Sequence, residues 1–178
     1  DVVEQSKEKL SLNDDKMLIV DTALAHFELR YGEIEIADRM IARLLATGRA
    51  PYEVHLMRAE RFMQRNRIFH AREQLRKASR LQPRDPRANI QLDLSYLVPG
   101  SFCEPQWALQ IALAACKKTN WKNPECLQVL ADSYELQDDE QNAELYRGLA
   151  QQLNSLRDLQ NVELNFIIDQ VEKIRAIA

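Results

Sequence analysis

The broadest apolar pattern lies at the end of the chain. Leu156, Leu159, Val162, Phe166, Ile167, Val171, Ile174 and Ile177 recur at helical spacing and form a wide stripe on one face. Upstream, apolar and small residues fall into paired blocks of helical period, divided by turn residues. The pattern predicts helices over about 13–31 and 33–47, 51–65 and 67–81, 86–98 and 105–118, 124–137 and 139–153, then a long helix over 155–177. Residues 1–11 read as weakly helical.

The blocks repeat. Ala25, Ala37 and Leu44 are followed 34 residues later by Ala59, Ala71 and Ala78, with Gly32 and Asn66 at matching turn positions. The steps from Ala59 to Phe62, Ala71 and Ala78 are three, nine and seven, and those from Ala131 to Tyr134, Ala143 and Ala150 are the same. Between these two units lies an irregular one marked by Leu92, Tyr96, Ala108 and Ala115, whose turn carries the run VPGSFCEP. Pro99, Gly100 and Pro105 make that run a loop. Small residues at the crossings let two helices approach to the close end of the usual range of about 8–10 Å. A lone hairpin of this kind cannot bury its apolar face, so neighbours must stack, with the first helices forming one concave wall.

This arrangement resembles the tetratricopeptide repeat (TPR) family, a 34-residue helix–turn–helix unit with a small residue, an aromatic one turn later, two alanines and a closing proline. The resemblance covers about residues 14 to 153 and is strongest at AERFMQRNRIFHAREQLRKASRLQP and NPECLQVLADSYELQDDEQNAELYRGLA. The run ALQIALAACKKTNWKNPECLQVLADSY is similar to a variant of bacterial members. Arg58, Glu28 and Arg147 depart from the pattern, standing where the family has an apolar residue, an aromatic and a second aromatic. The resemblance implies an all-α protein, a right-handed α-superhelix of about four hairpins with a long C-terminal helix. Its divisions are an N-terminal segment 1–12, hairpins 13–47, 51–81, 86–118 and 124–153, and a capping or docking helix 155–178. That last helix is wider in its apolar face than capping needs, so docking on another chain, including a homodimer, is the alternative.

Composition agrees with the pattern. Only four glycines and six prolines occur in 178 residues, and 46% are hydrophobic, the vocabulary of one helical, foldable domain. Charge is uneven: residues 1–29 hold three Lys/Arg and seven Asp/Glu, residues 30–90 fourteen and seven, and residues 91–178 seven and thirteen. The arginine-rich middle is not interleaved with stacking aromatics, so it reads as a solvated helix face and nucleic acid is disfavoured as a partner. Cys103, Cys116 and Cys126 are odd in number and lack a CxxC pair, which signals neither a disulfide framework nor a zinc ribbon. No apolar run approaches a membrane span and no signal pattern opens the chain. Cytoplasmic placement is the expectation. A start at Asp1 instead of Met suggests a piece of a larger, bacterial protein that is itself anchored or exported.

Catalytic and metal chemistry find no support. DDEQNAE lacks the central glycine and spaced oxygens of a calcium loop, and reads as a helix corner whose Asp138 or Asp139 caps and whose Glu140 favours the helix start. His26, His55 and His70 show no metal-ligand spacing, and there is no phosphate loop or nucleophile elbow. Cys126, at a helix start, has no base assigned to it and reads as a packed thiol. No enzyme activity, cofactor or metal is expected. The candidate site is the wall of first helices: Leu56, Glu60 and Met63; Arg87, Ile90 and Leu94; Glu125, Gln128, Asp132 and Glu135. Known family members that grip acidic tails use a clamp of Lys, Asn and Arg here, and no such set is present. The expected function is a protein-interaction scaffold taking a peptide or helix with apolar and basic residues. The alternatives are an assembly or secretion chaperone that holds an apolar segment, or a convex basic face, Arg72, Arg76, Lys77, Arg80, Arg84 and Arg87, that binds an acidic protein or nucleic acid.

Overall fold

A computed structural model describes the backbone of residues 2–177 and the side chains of residues 14–158. Among the described residues all regular structure is helical: α1 (Val2–Tyr31), α2 (Ile34–Ala46), α3 (Tyr52–Gln64), α4 (Ile68–Leu81), α5 (Arg87–Leu97), α6 (Pro105–Lys118), α7 (Pro124–Glu135) and α8 (Glu140–Ile177). The chain divides into two compact units, Asp1–Ser95 and Tyr96–Ala178.

In the first unit α1 packs on α2 and α3, α2 on α3, and α3 on α4. The crossings are made where Ala25, Ala37, Ala59, Ala71 and Ala78 lie, and none of these exposes any surface. A methyl group at a crossing leaves room for the neighbouring backbone and still removes apolar area from water. Around Ala25, the larger Ile41, Leu44, Val54 and Met57 fill the core, with Leu18, Leu29 and Met40 at its margin. In the second unit α6 packs on α7 and α7 on α8, and Ala108, Ala112, Ala131 and Ala143 are likewise buried.

Two tight corners share one geometry. Asn66 and Asp138 adopt left-handed φ of 55° and 59°, a conformation that Asn and Asp tolerate better than most residues. In each, the next amide donates to the carbonyl of the aromatic, Arg67 N–H to Phe62 at 2.8 Å and Asp139 N–H to Tyr134 at 3.1 Å. Asp139 then caps α8, its Oδ1 accepting from the Asn142 amide at 3.2 Å. The turn before α7 is different: Asn120 and Trp121 are both left-handed. Trp121 stacks on Tyr146, and Tyr146 on Tyr134, with centroids 5.9 and 5.6 Å apart.

The departures from the repeat pattern have physical reasons. Glu28 folds back so that its Oε2 accepts from the Glu33 amide at 3.1 Å, at the start of α2. Arg58 lies over the Phe62 ring at 4.5 Å. Arg147 pairs with Glu135, while its neighbour Tyr146 supplies the aromatic. Residues 98–104 form the expected loop, closed by the Glu104 amide donating to the Tyr96 carbonyl at 2.8 Å. Two expectations are corrected. The helix predicted to begin at 155 is the continuation of α8, since residues 150–157 contain neither Pro nor Gly and present no helix-breaking signal. Helix α1 begins at Val2 and leaves no separate segment over 1–12. Of the C-terminal apolar stripe only Leu156 is a described side chain, and it is 58% exposed; the rest lies outside the described residues.

Buried charge fixes one crossing. Arg61 of α3, only 7% exposed, makes a bidentate pair with Asp38 of α2 at 3.0 and 3.2 Å, and Arg65 pairs with the same carboxylate. Hydrogen bonding from Arg61 outweighs burial and holds the Asp38 carboxyl below its ordinary value. A carboxyl whose folded pKa is depressed contributes stability that is complete above the unfolded pKa of about 3.9 and is lost as pH falls through the folded value. Urea unfolding at a series of pH values is therefore expected to show Asp38→Asn less stable than wild type at neutral pH, with the difference shrinking below roughly pH 4. Arg61→Ala is expected to cost about 2 kcal/mol at neutral pH in the same measurement, because it strips a buried carboxylate of its main donor while Arg65 remains.

Candidate protein-binding surfaces

Within the first unit, α3 and α5 each carry sequence-predicted site residues one turn apart. On α3, Glu60 is exposed and Met63 half-buried, but Leu56 is 8% exposed. On α5, Arg87 and Leu94 are exposed, and Ile90, the repeat equivalent of Leu56, is 9% exposed. Leu56 and Ile90 are thus floor residues whose side chains go into packing. The open surface consists of Glu60 and Met63 on one helix and of Arg87 and Leu94 on the other.

Arg87 is held in place. Its guanidinium binds Asp85 through Nε and Nη2, at 3.0 and 2.7 Å, and lies 5.2 Å from the centre of the Tyr52 ring. The buried Tyr52 hydroxyl accepts from the Ala88 amide at 3.2 Å, joining the start of α3 to the start of α5. Burial and the neighbouring Asp85 push the Tyr52 phenol up to about 12, and the Arg87 hydrogen bonds hold the Asp85 carboxyl down. Of this cluster sequence reasoning singled out Arg87 alone, because Tyr52 and Asp85 lie on other segments and carry no motif that links them to it.

In the second unit α7 presents Glu125 and Glu135 exposed, with Gln128 and Asp132 half-buried. Gln128 donates from Nε2 to Asp132 Oδ1 at 2.9 Å, a bond one turn along the helix. Glu135 is occupied by Arg147. The face is acidic, as the sequence predicts, and one of its charges is already balanced.

The proposed basic face is corrected in part. Arg72 is 2% exposed and structural, donating from Nη2 to the Ser95 carbonyl at 2.8 Å and from Nε to Ser95 Oγ at 3.2 Å. Lys77 pairs with Glu73 at 2.8 Å, and Arg87 belongs to the Asp85 cluster. Lys77 and Arg80 do meet His55 and Gln74 at a cleft of about 530 Å³, where His55 Nδ1 and Gln74 Oε1 are 2.8 Å apart.

Among the described residues no group of three or more His, Cys, Asp or Glu side chains converges as a metal site would require. Cys126 is buried, and its amide donates to the capping Asn123 Oδ1 at 3.0 Å. No described helix is long and apolar enough to cross a membrane.

No family model and no curated protein sequence matches the chain. Solved structures of MamA, a TPR-like helical-repeat protein, do match it in fold. One described as the crystal structure of MamA has a TM-score of 0.67 at 14% identity, covering 85% of this chain and 86% of that one. MamA AMB-1 has a TM-score of 0.63 at 17% identity over 78% of this chain and 79% of that one, and MamA MSR-1 one of 0.63 at 15% over 79% and 78%. The chain therefore has an all-α, helical-repeat fold of the solenoid type. At these identities the likeness is one of fold.

The two kinds of wall residue are separable by stability. Leu56→Asp is expected to cost about 3 kcal/mol or more in denaturant unfolding, since it places an unpaired carboxylate among packed side chains. Glu60→Lys, on the open surface, is expected to move stability by about 0.5 kcal/mol or less.

Proposed function

We propose that the chain is a protein-interaction scaffold whose first-helix faces, that of α5 and that of α7 each by itself, bind peptide or helix segments that combine apolar anchors with Lys or Arg. What carries this reading is a contrast at repeat-equivalent positions. The hairpin stack consumes Leu56 and Ile90, yet leaves Leu94 43% exposed at the position where α7 carries Asp132. Leu94 shares a helix face with the fixed Arg87 charge two turns away, and the pair suits a partner that brings an apolar anchor. The fold supports it as well, since TPR-like scaffolds present peptides to such helices. Acidic tails are poor ligands for α7, where Glu125 and Asp132 would repel them.

A second reading rests on the cleft that gathers Lys77 and Arg80. It would take an acidic segment, and its affinity would fall steeply with salt. Selection from a displayed peptide library separates the two. The expected winners carry apolar residues with Lys or Arg; Leu94→Asp weakens those that bind α5 and Asp132→Lys those that bind α7, each at least tenfold, about 1.4 kcal/mol, with the fold intact by circular dichroism. Acidic winners that ignore both substitutions but are lost on Arg80→Glu and in high salt would replace the first reading by the second.

A further inference from the structure

Helix α1 has two apolar faces, and the fold uses one of them. Leu18, Thr22, Ala25 and Leu29 turn inward: Ala25 is fully buried in the first unit's core and Leu18 and Leu29 pack against it. Met17, Val20, Leu24, Phe27 and Tyr31 lie on nearly the opposite side and are 47% to 74% exposed. Their spacing of three, four, three and four is the heptad alternation that keeps a helix seam facing a second helix. Phe27 and Tyr31 lie against each other on this face, with ring centroids 5.6 Å apart.

The charges beside the seam say what covers it. With Met17, Leu24 and Tyr31 at one core position of the heptad and Val20 and Phe27 at the other, one flank carries Asp14, Asp21 and Glu28, and the opposite flank Lys16, Ala23 and Arg30. Two such helices laid antiparallel would bring the acidic flanks together. Laid parallel and in register, each acidic flank meets the basic flank of the other copy, with Lys16 opposite Asp21 of the second copy on both sides. Asp21 already accepts from Arg43 at 2.9 Å, but a carboxylate has acceptor capacity for both donors. The seam lies opposite the face packed on α2 and α3, so those two helices stay clear of the contact. The interface closes on itself under a twofold axis.

We propose that α1 is a homodimerisation helix: two copies of this chain pair through Met17, Val20, Leu24, Phe27 and Tyr31 as a short parallel coiled coil. Sedimentation equilibrium of the full chain is expected to give a concentration-dependent dimer mass. Leu24→Glu and Phe27→Glu, both at exposed positions, are each expected to return the mass to that of a monomer while helicity holds and the melting temperature loses its dependence on protein concentration. In a Cys103→Ser background, Met17→Cys is expected to oxidise to a disulfide-linked dimer; a parallel, in-register pair brings the two copies of position 17 together, whereas an antiparallel pair over the same seam sets them about 20 Å apart. A wild-type chain that stays monomeric at every concentration, or a dimer whose mass neither glutamate changes, overturns the proposal. A dimer that both glutamates dissolve but Met17→Cys fails to cross-link overturns the parallel arrangement.

Discussion

Everything in this chain depends on how closely two helix backbones can approach. Where Ala25, Ala59 or Ala131 sits at a crossing, the partner helix rests on a methyl group, and the larger Ile41, Leu75 or Leu130 fills the space beside it. A longer side chain at any of these alanines would push a whole helix outward, and overpacking of that kind is poorly tolerated. The alanine ladder therefore constrains the geometry more tightly than the total apolar content does. It also explains why so different a sequence can share a fold with MamA at 14% identity: few positions are fixed, and those are fixed by size.

Polar contacts act on top of that ladder and set which helices are locked. Asp38 with Arg61 and Arg65 ties α2 to α3, Arg72 with Ser95 ties α4 to α5, and Tyr52 with Ala88 ties α3 to α5. A buried arginine that lost its partner would leave a charge in apolar surroundings, so these pairs penalise alternative registers even where their net stabilisation is small. All three lie in the first unit. In the second, an aromatic stack of Trp121, Tyr146 and Tyr134 occupies the corresponding space, and its contribution is apolar burial with orientation.

Repeat spacing made the helix pairs α1–α2, α3–α4 and α7–α8 legible, because a fixed offset between small residues is visible without a structure. The corner at Asp138 and the loop over 98–104 were legible for the same kind of reason, as turn chemistry is local. What sequence could not resolve was the direction of side chains around a helix whose every face holds some apolar residue. Leu56 and Ile90 were read as groove residues and are packed, whereas the outer face of α1 carries a heptad that was absorbed into a single predicted hairpin. Arg72 shows the same limit for charge: its position among other arginines suggested a solvated face, and only the approach of α5 makes it structural. The division of the last two helices was misplaced for want of a stop signal between residues 150 and 157, and the unbroken α8 follows from that same absence.

The loop over 98–104 bears on how such a chain can grow. Its extra residues sit between α5 and α6 and are sealed by one backbone bond from Glu104 to Tyr96, while the buried Tyr96 and Ala108 on either side keep their places in the packing. Lengthening a closed loop costs little, about 0.6 kcal/mol for each doubling, and the cost is confined to one corner. Added length at this corner therefore leaves the flanking helices where the packing needs them. The same corner is a natural place to graft a fluorophore-binding tag or an added binding loop onto the scaffold.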